Sequence, residues 1–232
     1  MSDAPASTGD GGPERQSIWS RPERGSRGPA PAHSRDAIVA AAIALADTEG
    51  LAAVSMRAVA AALGTGAGSL YRYLSSRDDL LDLMTDRVVG ELRPYPEAEG
   101  DWLEAMVLLG RRQLALFGAH PWLLDVIHRP SAVGPESLAW FDNCLRVLET
   151  VRCPVTDKFE AIAMMTGVAS LFARRESAAG TFSFAGVDVA AYPHLIAAFG
   201  QASAPAPRAD LVGRTLRSLL TGLLLAEPTE VG

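Results

Sequence analysis

Apolar residues recur along most of the chain at the i, i+3, i+4, i+7 spacing of a helix with one buried face. Ser34 is placed to cap a first helix that carries Ile38, Ala41, Ala42 and Leu45 on one side, and Gly50 ends it. Ser55 opens a shorter helix with Met56, Val59, Ala60 and Leu63, which stops at Gly64. A glycine-rich turn leads to a very short helix around 69–74. Ser76 then caps a fourth helix, with Asp78 and Asp79 in the first turn, where the helix dipole favours acids. Its inner face is Leu80, Leu81, Met84 and Val88, and Pro94 and Pro96 stop it near Leu92.

The remainder also reads as helices. The stretch 101–117 places Trp102, Met106, Leu109, Gln113 and Leu116 on one stripe; 121–129 is short; 136–151 carries Trp140, Leu145 and Leu148. The stretch 156–178 is nearly apolar over its middle. A loop at 180–186, a helix of one or two turns broken by Pro193, and a last helix over 209–226 complete the chain. No stretch alternates with period two between hairpin turns, so the expected fold class is all-α. The division expected is an arm over 1–32, a three-helix helix-turn-helix domain over 33–80, a second helical domain over 81–226 and a tail over 227–232.

Composition agrees with a globular chain. Hydrophobic residues make up 48% of the 232 positions against 21% charged, enough to build a core. The apolar runs are too short or too interrupted for a membrane span, as Arg214 and Arg217 interrupt the last one, and the N-terminus does not read as a secretory signal. A cytoplasmic protein is expected. The two cysteines, Cys144 and Cys153, match no disulfide framework or zinc spacing and read as buried thiols. The arm is rich in Pro, Gly, Ser and Ala and reads as disordered. Within it Arg15, Arg21, Arg24 and Arg27 surround Trp19 and the acid Glu23, which suits either a solvated tail or an arm that touches nucleic acid.

The net charge of −6 is unevenly spread. Residues 1–77 hold eight arginines against seven acids, while the rest of the chain carries a net −7. One end is therefore better suited than the other to a polyanion. Two short helices joined by a glycine-containing turn, the second flanked by Tyr and Arg, are what a helix-turn-helix reader of the DNA major groove needs. A nucleotide-binding loop at 64–69 fails on two counts: Ser69 stands where a dinucleotide fingerprint needs glycine, and a helix rather than a strand precedes it. Catalysis has no support, because His33, His120, His128 and His194 are scattered and no nucleophile elbow or metal-binding helix motif occurs. No cofactor and no metal are expected.

The run from Ser34 to Leu92, through MRAVAAALGTGAGSLYRYLSSRDDLLDLM at 56–84, resembles the N-terminal DNA-binding domain of the tetracycline-repressor (TetR) family of bacterial regulators. The His120-Pro121-Trp122 turn, the Tyr192-Pro193-His194 segment and the terminal apolar helix are similar, more loosely, to the regulatory domain of the tetracycline-repressor subgroup. The resemblance implies that Arg57 reaches bases, that Ser69 contacts a base or phosphate, and that Tyr71, Tyr73 and Arg77 contact phosphates. Arg72, exposed on the same short helix, suits a guanine or phosphate contact by its fork. The chain departs from the family at Gly66 and Ala67, where members often carry a capping Ser or Thr and a polar neighbour.

The same resemblance implies a second domain that binds a small effector and forms a homodimer, so that the dimer holds two reading helices on a palindromic operator in double-stranded DNA. The last two long helices support the dimer independently. Ala163 and Gly167 allow close crossing, and Leu216, Leu219, Leu220 and Leu223 recur along the last helix. Trp102, Met106, Gln113, Trp140, Phe141, Met164 and Phe172 are candidates to line a pocket for a planar or apolar ligand, with Gln113 or His128 as the polar handle. The expected function is a repressor released by such an effector. An activator, or a constitutive DNA-binding protein without a ligand, is the alternative.

Overall fold

The computed structural model describes residues 18–20, 33–96, 100–127, 129, 132–177, 188, 191–200 and 210–225. Among the described residues every regular element is helical. They fall into two compact units, Met1–Asp86 with Arg129–Gly134, and Arg87–His128 with Pro135–Gly232. The expected 180–186 loop, the 227–232 tail, His128 and most of the N-terminal arm lie outside the described residues.

In the N-terminal unit α1 (Arg35–Glu49) begins at Ser34, whose hydroxyl accepts from the Ala37 N–H at 3.1 Å. It ends at Gly50, whose φ of 82° is a conformation that side chains with a Cβ resist. Ser55 caps α2 (Met56–Ala62) in the same way on Ala58. Then come α3 (Ala67–Leu70) and α4 (Arg77–Val89), of which the part up to Asp86 belongs to this unit. The buried stripe of α1 runs through Ile38, Val39, Ala42 and Ala46, rotated slightly from the expected Ile38, Ala41, Ala42 and Leu45. Ile38, Val59, Leu70, Leu74, Leu80 and Met84 close the core with 1% exposure or less. One part of the arm departs from the disordered reading. Ile18–Ser20 forms a 3-10 turn with Ile18 fully buried, an anchor that the surrounding Pro/Gly/Ser composition conceals.

The second unit contains α5 (Trp102–Ala119), α6 (Leu123–Val126), α7 (Pro135–Val147), α8 (Val155–Ser177), α9 (Pro193–Gly200) and α10 (Leu211–Leu224). The helices α5, α8 and α10 pack on one another. They approach closely at Gly110, where a Cβ would stand 2.7 Å from Leu216 and 3.2 Å from Met165. Asp101 caps α5 through the Leu103 N–H at 2.8 Å. Pro193 does not break a helix, as its sequence context suggested. It opens α9, because the first helical position needs no N–H and prefers the fixed φ of proline.

Candidate nucleic-acid interface and effector site

The turn between α2 and α3 depends on Gly64 at φ 67°, and Thr65 closes it by donating its N–H to the Ala60 carbonyl at 2.9 Å. Leu70 and Leu74 bury one side of the α3 turn, so Tyr71 (55% exposed) and Arg72 face outward while Tyr73 is half-buried. Arg57 is exposed on α2. Between residues 51 and 77 the chain carries three arginines and no acid, so this surface is cationic with no internal counter-charge.

Gly66 gives α3 no side-chain cap. Ser69 compensates from inside the turn: its hydroxyl donates to the Gly66 carbonyl at 2.7 Å and lies 2.9 Å from Thr65 Oγ1. Arg77 has a structural role that its position alone did not reveal. Its Nε donates to the Val54 carbonyl at 3.0 Å and its Nη2 to the Leu51 carbonyl at 3.2 Å, which ties the start of α4 to the turn before α2.

In the second unit the candidate pocket residues separate. Met106 (0% exposed), Gln113 (5%) and Trp140 (4%) are buried, Trp102 and Phe141 are half-buried, and Met164 is 52% exposed on α8. Gln113 donates from Nε2 to Thr166 Oγ1 at 3.0 Å, and the Thr166 hydroxyl donates in turn to the Ile162 carbonyl at 3.1 Å. The Gln113 Oε1 is buried and accepts no hydrogen bond. Asn143 Nδ2 on α7 is likewise buried without an acceptor. Phe172 borders a separate open cleft of about 710 Å³, together with Leu114, Ala115, Leu211 and Val212. One end of that cleft holds the Arg111–Asp210 ion pair. Sequence reasoning missed Thr166, Asn143 and this cleft, since nothing in a helical period says which polar residue on a buried face stays unpaired.

Asp210 also accepts from the Gly213 N–H at 2.9 Å, and Arg217 donates to both oxygens of Glu104 at 2.6 and 2.8 Å. The Gly213 amide, ahead of the arginines, holds Asp210 below the usual carboxylate range; for Glu104 the Arg217 hydrogen bond does so. Burial pushes the Cys144 thiol up to about 12, so it is an inert core residue.

The candidate dimer residues also separate. Val155, Phe159, Ala163, Met164 and Leu171 are exposed on α8, and Gly167 is half-buried among them. On α10, Leu219 and Leu223 are half-buried. Leu216 and Leu220 are not surface residues. Both are 0% exposed, with Leu216 packed at Gly110, so they belong to the chain's own core.

An all-helical chain with a capped helix, a glycine turn and a short outward-facing helix, followed by a separate helical unit, defines a helix-turn-helix protein with a second domain. The comparisons fix its family. Residues 38–84 match the family model of bacterial regulatory proteins of the tetR family, and 94–204 match the tetracyclin repressor-like C-terminal domain. The chain belongs to the tetR family. It is 40% identical over 151 residues to the HTH-type transcriptional repressor DrrR1 of Streptomyces coeruleorubidus, an alignment that covers 65% of this chain and 56% of that protein. The chain therefore spans little more than half the length of that relative. Apo ActR from Streptomyces coelicolor superposes with a TM-score of 0.70 at 27% identity, over 85% of this chain and 97% of ActR. ActR in complex with actinorhodin gives 0.67 at 26%, over 83% and 95%. No helix among the described residues is long and apolar enough to cross a membrane.

Proposed function

We propose that this chain is a transcriptional repressor that binds a palindromic operator in double-stranded DNA as a homodimer and is released by a small, largely apolar or aromatic effector. The observation that carries the reading is the acid-free surface of α2 and α3, where Arg57, Tyr71 and Arg72 stand outward over a buried Leu70–Leu74 base. Arg72 is the guanine or phosphate contact; Tyr71 and Tyr73 bind the backbone; Arg57 reaches a base edge from α2; Ser69 reaches a base or phosphate by turning its hydroxyl from the Gly66 carbonyl. Such a protein works in the cytoplasm, where the operator is.

The effector enters the core beside Gln113. A buried amide with its Nε2 already committed to Thr166 and its Oε1 open is suited to accept a hydrogen bond from a ligand hydroxyl, and the buried Met106 and Trp140 are the apolar lining we assign to it. ActR, a neighbour in fold, holds actinorhodin in one of its structures, which supports a small-molecule effector here. The dimer is built on the exposed apolar stripe of α8, with Leu219 and Leu223 of α10 beside it. The test is selection of DNA from a random pool by the purified protein, followed by a mobility shift of the selected duplex with and without actinorhodin and related planar aromatics. A palindrome released by at least one compound is expected. Selection of no duplex would overturn the DNA-binding assignment, and a duplex that no compound releases would leave a constitutive binder or an activator.

A further inference from the structure

Three stretches far apart in the chain interlock within the N-terminal unit: Ile18–Ser20, α4 and the segment Arg129–Gly134. The acids Asp78, Asp82 and Asp86 lie on one side of α4 at i, i+4 spacing, a row that would be expected to face water. Yet Asp82 is only 3% exposed and Asp86 only 5%. The Arg129 guanidinium binds Asp82 Oδ1, and reaches Asp78 at 3.4 Å. The Ala132 N–H donates to Asp82 Oδ2 at 3.4 Å, while the Ala132 carbonyl accepts from Trp19 Nε1 at 3.4 Å. Both polar backbone groups of Ala132 are therefore used, one by α4 and one by the arm. Ile18, beside that indole, is 1% exposed. At Gly134 a Cβ would collide with the Asp86 carboxylate and with the Trp19 ring, so only glycine lets the backbone pass so close to both. A carboxylate removed from water is tolerated only when its partners are in place. Asp82 thus depends on the segment, and the segment is fastened in turn by Trp19.

At its start α4 is fixed by the Arg77 bonds to the carbonyls of Leu51 and Val54, just ahead of α2, and its Leu80 and Met84 are each 0% exposed. We infer that Ile18–Trp19, together with Arg129, Ala132 and Gly134, forms a clasp on α4 that sets the pose of the helix-turn-helix for DNA, with Trp19 and Arg129 as positioning residues that touch no DNA themselves. The inference rests on the DNA-binding reading above.

The experiment uses the full chain with Trp19→Ala, Trp19→Phe and Gly134→Ala. Hydrogen exchange of the α4 amides reads the clasp without DNA, and fluorescence anisotropy against the duplex selected by the wild type reads its consequence, over a range of salt. Trp19→Ala is expected to speed exchange across Asp78–Asp86 by about tenfold or more, with the α8 and α10 amides unchanged. Operator affinity is expected to fall by about tenfold with an unchanged salt slope, because no phosphate contact is lost. Trp19→Phe, which keeps the ring and loses the indole N–H, should fall between. Gly134→Ala should repeat the Trp19→Ala result if it folds, and Trp19→Ala decides the question if it does not. Unchanged α4 exchange in Trp19→Ala would overturn the clasp. Faster exchange with wild-type operator affinity would overturn its positioning role. Failure of the wild type to select any duplex would strike the DNA-binding reading, and with it the positioning role, while the exchange data would still judge the clasp.

Discussion

Arg77 offers a sharp separation between a contact with DNA and a brace inside the protein. Its family position suggests a phosphate contact, whereas its guanidinium donates to two backbone carbonyls, Val54 at 3.0 Å and Leu51 at 3.2 Å, from two different nitrogens. Lysine preserves the charge but carries a single ammonium on a flexible stem, and it cannot span both carbonyls in one plane. A hydrogen bond to a charged group contributes roughly 1.5–3 kcal/mol when well shielded, and the more exposed of these two should give less, so losing both should cost about 1–3 kcal/mol. For a small domain that amounts to a fall in Tm of roughly 4–8 °C per kcal/mol. The brace therefore predicts that Arg77→Lys and Arg77→Ala lose similar amounts of thermal stability, and that operator affinity drops in both without a change in its salt dependence. A phosphate contact predicts a different pattern, in which Lys rescues affinity and Ala lowers the slope of log K against log salt by about one. Thermal unfolding of the three proteins, with binding to the selected duplex at several salt concentrations, decides it. Wild-type stability in Arg77→Lys would refute the brace.

Other outcomes follow from the same structure. Tyr71→Ala and Arg72→Ala, at exposed positions, should weaken operator binding by about 1–3 kcal/mol each while leaving Tm unchanged; operator affinity unaltered in both would remove α3 from the interface. Leu219→Asp puts an unpaired carboxylate on the half-buried face of α10 and should turn a dimer into a monomer by light scattering, whereas a persistent dimer mass would place the interface elsewhere. Glu104 and Asp210 have folded pKa values below their ordinary range, so the stability they contribute is present above the unfolded carboxylate pKa of about 4 and is lost as pH falls through the folded values. The gap in Tm between wild type and Arg217→Gln, which lacks the bond to Glu104, should be widest near neutrality and close in acid; a gap independent of pH would count against the pair. Gln113→Leu should fill the same volume and remove the open acceptor, so it should raise or preserve Tm while abolishing effector release of operator; a variant that still responds normally would move the polar handle to another residue.

Much of the fold was legible because its signals are local. Ser34, Ser55, Gly50 and Gly64 act within a few residues of themselves, and the caps and glycine conformations they imply are present. Other features depend on partners distant in the chain. The burial of Asp82 depends on Arg129, 47 positions away, and the Arg77 brace uses backbone carbonyls, which have no signature in a side-chain pattern. The leucines of α10 show the limit of periodicity most directly. A stripe of Leu216, Leu219, Leu220 and Leu223 announces that the helix has an apolar side wider than one contact needs. Only the packing at Gly110 shows that Leu216 is taken by the chain's own core, with Leu220 equally buried, and that Leu219 and Leu223 are left partly exposed.

One rule sorts the buried polar residues of this chain by role: a polar group enters a core at a cost of about 1–3 kcal/mol for each hydrogen bond left unmade. Asp79 is 1% exposed and accepts the Ser75 N–H at 2.9 Å, so its burial completes the start of α4. Asp82 is equally hidden and is held by Arg129 and Ala132, so its burial fastens one segment to another. Gln113 differs from both. One arm of its amide is satisfied by Thr166, and the other, the buried Oε1, has no hydrogen-bond partner among the described residues. A ligand that donates to Oε1 recovers that cost on binding, and an analogue without the donor does not. With the effector seated beside Gln113, as proposed above, the open acceptor would favour molecules with a hydroxyl over equally apolar ones that lack it.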